Sequence, residues 1–308
     1  MKRILILGCG YLGLNLANYF CKKNYDVSVI GRKSVYSNFL EEEIEFIEDD
    51  IKNINSYKHM FNEETTVIYA IGSINANNYF MDLRNDIENS YIPFINLLNF
   101  LSEKYIQKFV FLSSAGTVYG NVNKNYISEN EILNPISIYG LQKAFFEQLI
   151  RIKNNEASHF RYLIFRISNP YGGINIPNKN QGIIPTLVYK AVNNEPFELW
   201  ASINTIRDYI YIDDLSELIY KTIYLDIYNE TLNLGSGKGT SIKQLISLVE
   251  EILGKKITIL EKPPIKTNVL KNILDISKLV NTVGYEPKIS IEEGISRYIN
   301  TILTKNIF

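Results

Sequence analysis

Cysteine and histidine are scarce in this chain of 308 residues, which has two of each. Cys9 and Cys21 are too few for a disulfide framework and belong to no metal-spaced set, and His59 and His159 stand alone, so no metal site is expected. Charge of one sign is also lacking. With 32 Lys and Arg against 33 Asp and Glu, the formal net charge is −1, which gives no reason to expect a nucleic-acid or anionic-membrane partner. Long apolar runs are missing as well. The basic start Met1-Lys2-Arg3 is followed only by Ile4-Leu5-Ile6-Leu7 before Gly8, which suits a strand and not a signal peptide. No apolar stretch is long enough to span a bilayer, and no repeat or low-complexity linker interrupts the chain. These absences leave a soluble protein of a reducing compartment, the cytoplasm. Its length suffices for a well-buried core in two lobes or one large domain.

What is present begins at the N-terminus. Ile4-Leu5-Ile6-Leu7 is a continuous apolar run, as a strand buried on both faces requires. It enters Gly8-Cys9-Gly10-Tyr11-Leu12-Gly13, after which Leu14, Leu16, Ala17 and Phe20 recur at helical spacing. Val27-Ser28-Val29-Ile30 reads as the next strand. Strand, glycine turn, helix and strand within about 30 residues make a dinucleotide-binding unit. Gly8, Gly10 and Gly13 bring the backbone, with Tyr11 and Leu12 at the helix start, close to a pyrophosphate, and the helix N-terminus offers free N–H groups. An acidic residue at the end of the second strand would accept a ribose 2′-hydroxyl and select NAD. This chain has Gly31-Arg32-Lys33-Ser34 there. Two cations and no carboxylate favour NADP over NAD, unless Arg32 stacks on adenine or is solvated. A third strand ends in Asp49-Asp50-Ile51, where Asp50 can accept the adenine amino group or simply cap a turn.

Further strands are predicted at Val67–Ile71, Phe109–Leu112 and Tyr162–Ile167, with a helix at about Asn89–Lys104 between the first two. Small and hydroxyl residues, Ser113 to Thr117, follow the fifth strand, where α/β ligands bind. Downstream, Ser137 precedes a helix that carries Tyr139 and Lys143. The two lie one turn apart and share a face. An ammonium near a phenol favours phenolate, and a phenol so tuned can exchange a proton with an alcohol during hydride transfer. The plain alternative is an exposed helical pair in a chain with 22 Tyr. After Gly172 the pattern loosens. An alternating strand, Arg207–Ile212, opens a helix with Asp213 or Asp214 as its cap, and later helices start near Ser241 and Ser290.

Together these segments resemble the extended short-chain dehydrogenase/reductase family, in particular its nucleotide-sugar epimerases and dehydratases (the UDP-glucose 4-epimerase-like group). The similarity rests on Gly8/Gly10/Gly13, Asp50-Ile51, Ser113-Ser114 through Tyr119-Gly120, and Tyr139-Gly140-x-x-Lys143. It continues through Asn169-Pro170-Tyr171-Gly172, Arg207-Asp208-Tyr209-Ile210, Asn233–Gly237 and Asp275–Lys278. The resemblance implies an α/β fold: a Rossmann-type doubly wound parallel sheet with a smaller α/β C-terminal substrate lobe. Residues 1–168 with about 206–230 would bind the dinucleotide. Residues 169–205 and 231–308 would bind a nucleotide-diphosphate sugar. It further implies Tyr139 as acid/base at sugar carbon 4, Lys143 on the nicotinamide ribose, Asn169 and Arg207 on the diphosphate, and Trp200 against the nucleobase or packed in the core. A homodimer through the Tyr139 helix and the helix near Asn89 is also implied, with Phe145 or Phe146 at the interface.

The departures narrow the reading. The family's assisting Ser or Thr is replaced by Ala115, so the hydroxyl falls to Thr117 or Ser114, Thr117 being preferred. Dehydratase and decarboxylating members carry a glutamate, and 3,5-epimerase/reductases a cysteine, where this chain has Thr117. Those branches are set aside. The second diphosphate-binding arginine falls near Ile265-Lys266, so Lys266 is a candidate replacement. A 4-epimerase and a 4-ketoreductase remain. A catalytically silent cofactor-binding sensor or scaffold on the same fold is the alternative from another class.

Overall fold

The apolar run at the N-terminus forms the middle of the main sheet. The computed structural model describes residues 2–72, 83–176, 182–263 and 269–305. In chain order the strands are β1 (Arg3–Leu7), β2 (Asp26–Gly31), β3 (Glu45–Glu48), β4 (Thr65–Tyr69), β5 (Lys108–Ser114), β6 (Tyr162–Ile167), β7 (Asn169–Tyr171), β8 (Phe197–Leu199), β9 (Ile206–Tyr211), β10 (Glu230–Leu234), β11 (Gly239–Ser241), β12 (Ile259–Glu261) and β13 (Lys271–Asn272). Seven of them form one parallel sheet in the order β10-β6-β5-β4-β1-β2-β3. Successive side chains of a strand point to opposite faces, and both faces of this sheet are covered. Ile4 and Ile6 pack with Phe20 and Val29 on one side. Leu5 and Leu7 pack with Val67, Tyr69 and Phe109 on the other. The order reverses between β1 and β4, which opens a crevice at their carboxyl ends, the binding position of doubly wound sheets.

The flanking helices follow their apolar stripes. Tyr11–Lys22 buries Leu14, Leu16, Ala17 and Phe20. On the other face, Ile92–Ser102 buries Phe94, Leu97, Leu98 and Leu101, entered through a π-helical turn at Ile87–Tyr91, so the regular helix is shorter than predicted. Phe146 of the helix Ile138–Glu156 is buried and stacks on Phe94 with centroids 3.8 Å apart. Burying such a side chain is worth ~1.5–3 kcal/mol. Its neighbour Phe145 is 40% exposed, so the two rings do part company.

A smaller sheet has β9 at its centre, antiparallel to β11 and parallel to β13 and β7, and β8 pairs with β12. The strand pairings place Ile206–Tyr211 in the small sheet and Glu230–Leu234 in the large one. Buried polar groups tie the sheets together. The carboxylate of Asp208 on β9 accepts from the backbone N–H of Ser236, Gly237 and Leu274 and from the Ser236 hydroxyl. Burial alone would push this acid up, and those donors hold it down again, though not fully. The expected helix cap is corrected. Tyr211 precedes the helix Ile212–Tyr224 with no side-chain cap. Asp214 instead turns to the C-terminal segment, accepting from the Tyr285 hydroxyl and from the N–H of Lys288 and Ile289. Ser241 and Ser290 do cap their helices, Ser241 in a capping box with Gln244. Among the described residues no helix is long and apolar enough to cross a membrane.

Candidate active site

Three clefts run in sequence along the carboxyl ends of the central strands. The first, of about 710 Å³, opens over the glycine turn and is lined by Gly8, Gly10, Arg32, Lys33, Asp50 and Ile51, among others. The turn has no room for side chains. Gly8 has φ +108°, and a Cβ on Gly13 would lie 1.9 Å from the Gly8 carbonyl oxygen, so the helix starts hard against the strand end. Gly10, by contrast, faces open space, with nothing within 4 Å of an added Cβ, and the first turn of Tyr11–Lys22 has no side-chain cap. Free N–H groups at a helix start beside an open cradle suit a pyrophosphate, so the residues present fit a dinucleotide. Arg32 and Lys33 are exposed at the rim. Asp50 caps a turn through the Lys52 N–H at 3.0 Å while still lining the cleft.

The second cleft, about 150 Å³, shares Ala70, Ile71 and Gly72 with the first and holds Leu12, Ser114, Tyr139 and Lys143. Ser137 caps the helix by accepting from the Gly140 N–H at 3.1 Å. Tyr139 in the first turn and Lys143 one turn later therefore face the cleft together. Lys143 Nζ donates to the Leu112 carbonyl at 2.9 Å and lies 5.7 Å from the Tyr139 ring centroid. The expected tuning is not what the protein alone shows. Burial pushes Tyr139 up to about 12. Burial also pushes Lys143 down to about 7, against the pull of Glu147. A lysine that half gives up its own charge near neutral pH stabilises a phenolate too weakly to offset desolvation.

The hydroxyls around Tyr139 divide by their partners. Ser114 lines the cleft. Thr117, the preferred candidate, is not among the lining residues and donates to the Ser114 carbonyl at 3.3 Å. Ala115 is fully buried in a small apolar cluster. The Ser113 hydroxyl is committed to Glu147 at 2.6 Å. Glu147 was not foreseen. It is fully buried four residues beyond Lys143, and it accepts from Arg166 through both carboxylate oxygens and from Arg151 at 3.1 Å. Arg166 continues to the Tyr119 hydroxyl at 3.0 Å, and Tyr119 to Asn233 at 2.6 Å. The i, i+4, i+8 spacing of Tyr139, Lys143 and Glu147 was the available signal.

The third cleft, about 230 Å³, shares Ser168 and Pro170 with the second and is lined further by Tyr11, Asn169, Tyr171, Asn175 and Tyr209. Asn169 lines it while its amide donates to the Asp208 carbonyl at 2.8 Å. Arg207 is half-buried on β9, bonds the Ile206 carbonyl at 3.0 Å, and is pushed down by burial. Trp200 is 47% exposed, with Lys262 Nζ 6.0 Å from its ring, so it is not a core residue. Neither Arg207 nor Trp200 is among the residues lining these three clefts. Lys266 lies outside the described residues.

Known proteins match this arrangement. The family model described as "NAD dependent epimerase/dehydratase family" covers residues 4–235. A protein of Methanocaldococcus jannaschii named "Putative UDP-glucose 4-epimerase" is 30% identical over 97% of both chains. An Escherichia coli dTDP-4-dehydro-6-deoxyglucose reductase is 36% identical over 71% of this chain and 68% of its own. The solved UDP-glucose 4-epimerase of Thermotoga maritima, with UDP-glucose, superposes with a TM-score of 0.89 at 26% identity over 99% of both chains. The protein is a member of the NAD-dependent epimerase/dehydratase family.

Proposed function

We propose that this chain is a nucleotide-sugar 4-epimerase. The observation that carries the reading is the continuity of the clefts. Tyr139 and Lys143 sit in a small chamber that shares lining residues with a dinucleotide-sized cleft on one side and with the third cleft on the other. A nicotinamide dinucleotide, when bound, supplies the hydride acceptor and donor. Tyr139 takes the carbon-4 hydroxyl proton at its phenolic oxygen as the hydride leaves and gives it back on return. Lys143, held by the Leu112 carbonyl with its Nζ 5.7 Å from the Tyr139 ring centroid, would hold the nicotinamide ribose. Ser114, which lines the chamber, is the candidate for the second hydroxyl, in place of Thr117. Asn169 and Arg207 would grip the diphosphate and Trp200 would meet the nucleobase, while Lys266, the candidate second diphosphate-binding cation, lies outside the described residues.

A second reading, a 4-ketoreductase using exchangeable NADPH, is favoured by Arg32 and Lys33 at the open end of the first cleft. The same pair supports NADP over NAD. We further infer a cytoplasmic homodimer. Leu141, Phe145 and Ile152 expose an apolar strip along the Tyr139 helix beside exposed Ile92, and light scattering that finds only monomers removes this inference.

Protein purified without added cofactor and denatured tests the main reading. Released NAD, with interconversion of UDP-glucose and UDP-galactose that Tyr139→Phe lowers by about 10²–10⁴-fold, supports the epimerase. Empty protein that prefers NADPH and reduces 4-keto nucleotide sugars supports the reductase. Biological activity unchanged in Tyr139→Phe supports a silent sensor.

A further inference from the structure

Buried polar groups are nearly always hydrogen-bonded, so a buried orphan that faces a cavity marks the place of a ligand's polar group. Among the described residues, the buried side-chain atoms without a partner belong to Arg3, Tyr11, Gln142, His159, Ser168, Thr205 and Asn272. Only Tyr11 and Ser168 of these line any of the three clefts, and both line the third. Ser168 is 6% exposed, and it also lines the Tyr139 chamber. It therefore stands at the doorway between the chamber and the third cleft. Tyr11 begins the helix after the glycine turn and lines the third cleft.

We propose that the Tyr11 and Ser168 hydroxyls bind hydroxyl groups of the sugar ring, holding the ring at the mouth of the Tyr139 chamber. This rests on the nucleotide-sugar reading above and adds two substrate-binding residues to it. A hydroxyl side chain both donates and accepts, which matches a ring whose own hydroxyls do the same. The cleft is lined further by the Asn169 and Asn175 side chains, the rings of Tyr171 and Tyr209, and an apolar side that includes Ile183 and Pro185. A sugar whose ring turns over during reaction needs contacts that accept either partner role, and two hydroxyl-bearing residues lining one cleft provide them.

The test is calorimetric titration of wild type, Tyr11→Phe and Ser168→Ala with UDP-glucose or dTDP-glucose, whichever the wild type binds, and with the matching diphosphate alone. Each variant is expected to weaken the sugar nucleotide about 3- to 30-fold and to leave the diphosphate within about twofold. Melting temperatures should hold or rise, because an unpartnered hydroxyl gives the fold nothing. That combination separates ligand binding from a structural role. Equal weakening of both ligands, or none, overturns the assignment while leaving the proposed function standing. A wild type that binds neither sugar nucleotide nor diphosphate defeats the proposed function, and this inference with it.

Discussion

The proposed dinucleotide end and the proposed sugar end of the site are shaped by different means. At the first, the backbone does the work. Gly8, Gly10 and Gly13 fall within one turn, and what matters is where side chains are missing. At the second, side chains converge from Tyr11, from the Ser168–Tyr171 segment, from Asn175 and from β9. A backbone-shaped site is compact in sequence and tolerates few substitutions. A side-chain-shaped site is scattered and can be retuned residue by residue. The Tyr139 chamber stands between them, and it is held by the buried Glu147 pair with Arg166.

That junction is where the largest effect on stability is expected. Glu147→Gln removes the counter-charge of Arg166, itself 4% exposed, and leaves a guanidinium buried without its anion. A cost of about 3–5 kcal/mol is expected, read from urea unfolding of the two proteins under identical conditions. A loss below about 1 kcal/mol would mean that the Tyr119 and Glu129 contacts of Arg166 suffice without the carboxylate. Next comes the backbone-shaped end. Gly13→Ala forces a methyl against the Gly8 carbonyl oxygen, where only backbone could move aside. About 3 kcal/mol of stability and most of the dinucleotide affinity should go together. An alanine variant that binds NAD or NADP normally would show that the turn is softer than its packing says.

How much of this was legible in the sequence follows the same division. β1, the glycine turn and the Tyr139–Lys143 pair could be read because each is set by residues close in the chain: an apolar run, a spacing of glycines, one helical turn. β7 and β13, with three and two residues, are too short to show any period. The placing of Ile206–Tyr211 in the small sheet and Glu230–Leu234 in the large one depends on pairing partners far away, which no local pattern records. Asp214 looked like a helix cap because its position allows one. Its carboxylate instead meets Tyr285, Lys288 and Ile289, more than 70 residues on. Thr117 was preferred over Ser114 from motif spacing alone, and only the fold shows which of them faces the chamber. The orphan hydroxyls of Tyr11 and Ser168 are invisible in sequence, since having no partner is a property of the packed molecule.

Lys143 offers a smaller and more specific effect at the junction. In the cofactor-free protein its ammonium is pushed down to about 7, against an ordinary 10.5. Between those two pH values the unfolded chain holds a proton that the folded protein lacks. Stability from this group therefore rises with pH from about 7 to 10.5 and is at its lowest below 7. Its slope is at most about 1.4 kcal/mol per pH unit. Denaturation of wild type and Lys143→Met across pH 6–10 should show a difference that moves in the wild type's favour as pH rises. A flat difference would mean that the lysine keeps its ordinary proton affinity, and that Glu147 outweighs burial.

The least effect is expected from Arg32, and it bears most directly on the contrast between the two ends. Arg32 and Lys33 are exposed cations at the rim of the cleft over the glycine turn. If side chains decide anything at that end, it is here, where a 2′-phosphate would meet a guanidinium fork. Arg32→Ser should leave stability unchanged and NAD affinity nearly so, while weakening NADP about tenfold, roughly 1.4 kcal/mol. Titration of both dinucleotides into the cofactor-free variant reads the ratio. Equal weakening of NAD and NADP would place Arg32 on the adenine ring, which both dinucleotides share, and no change in either would leave it solvated. In the second case the dinucleotide end would be shaped without Arg32, and in both cases the argument for NADP from Arg32 would be gone.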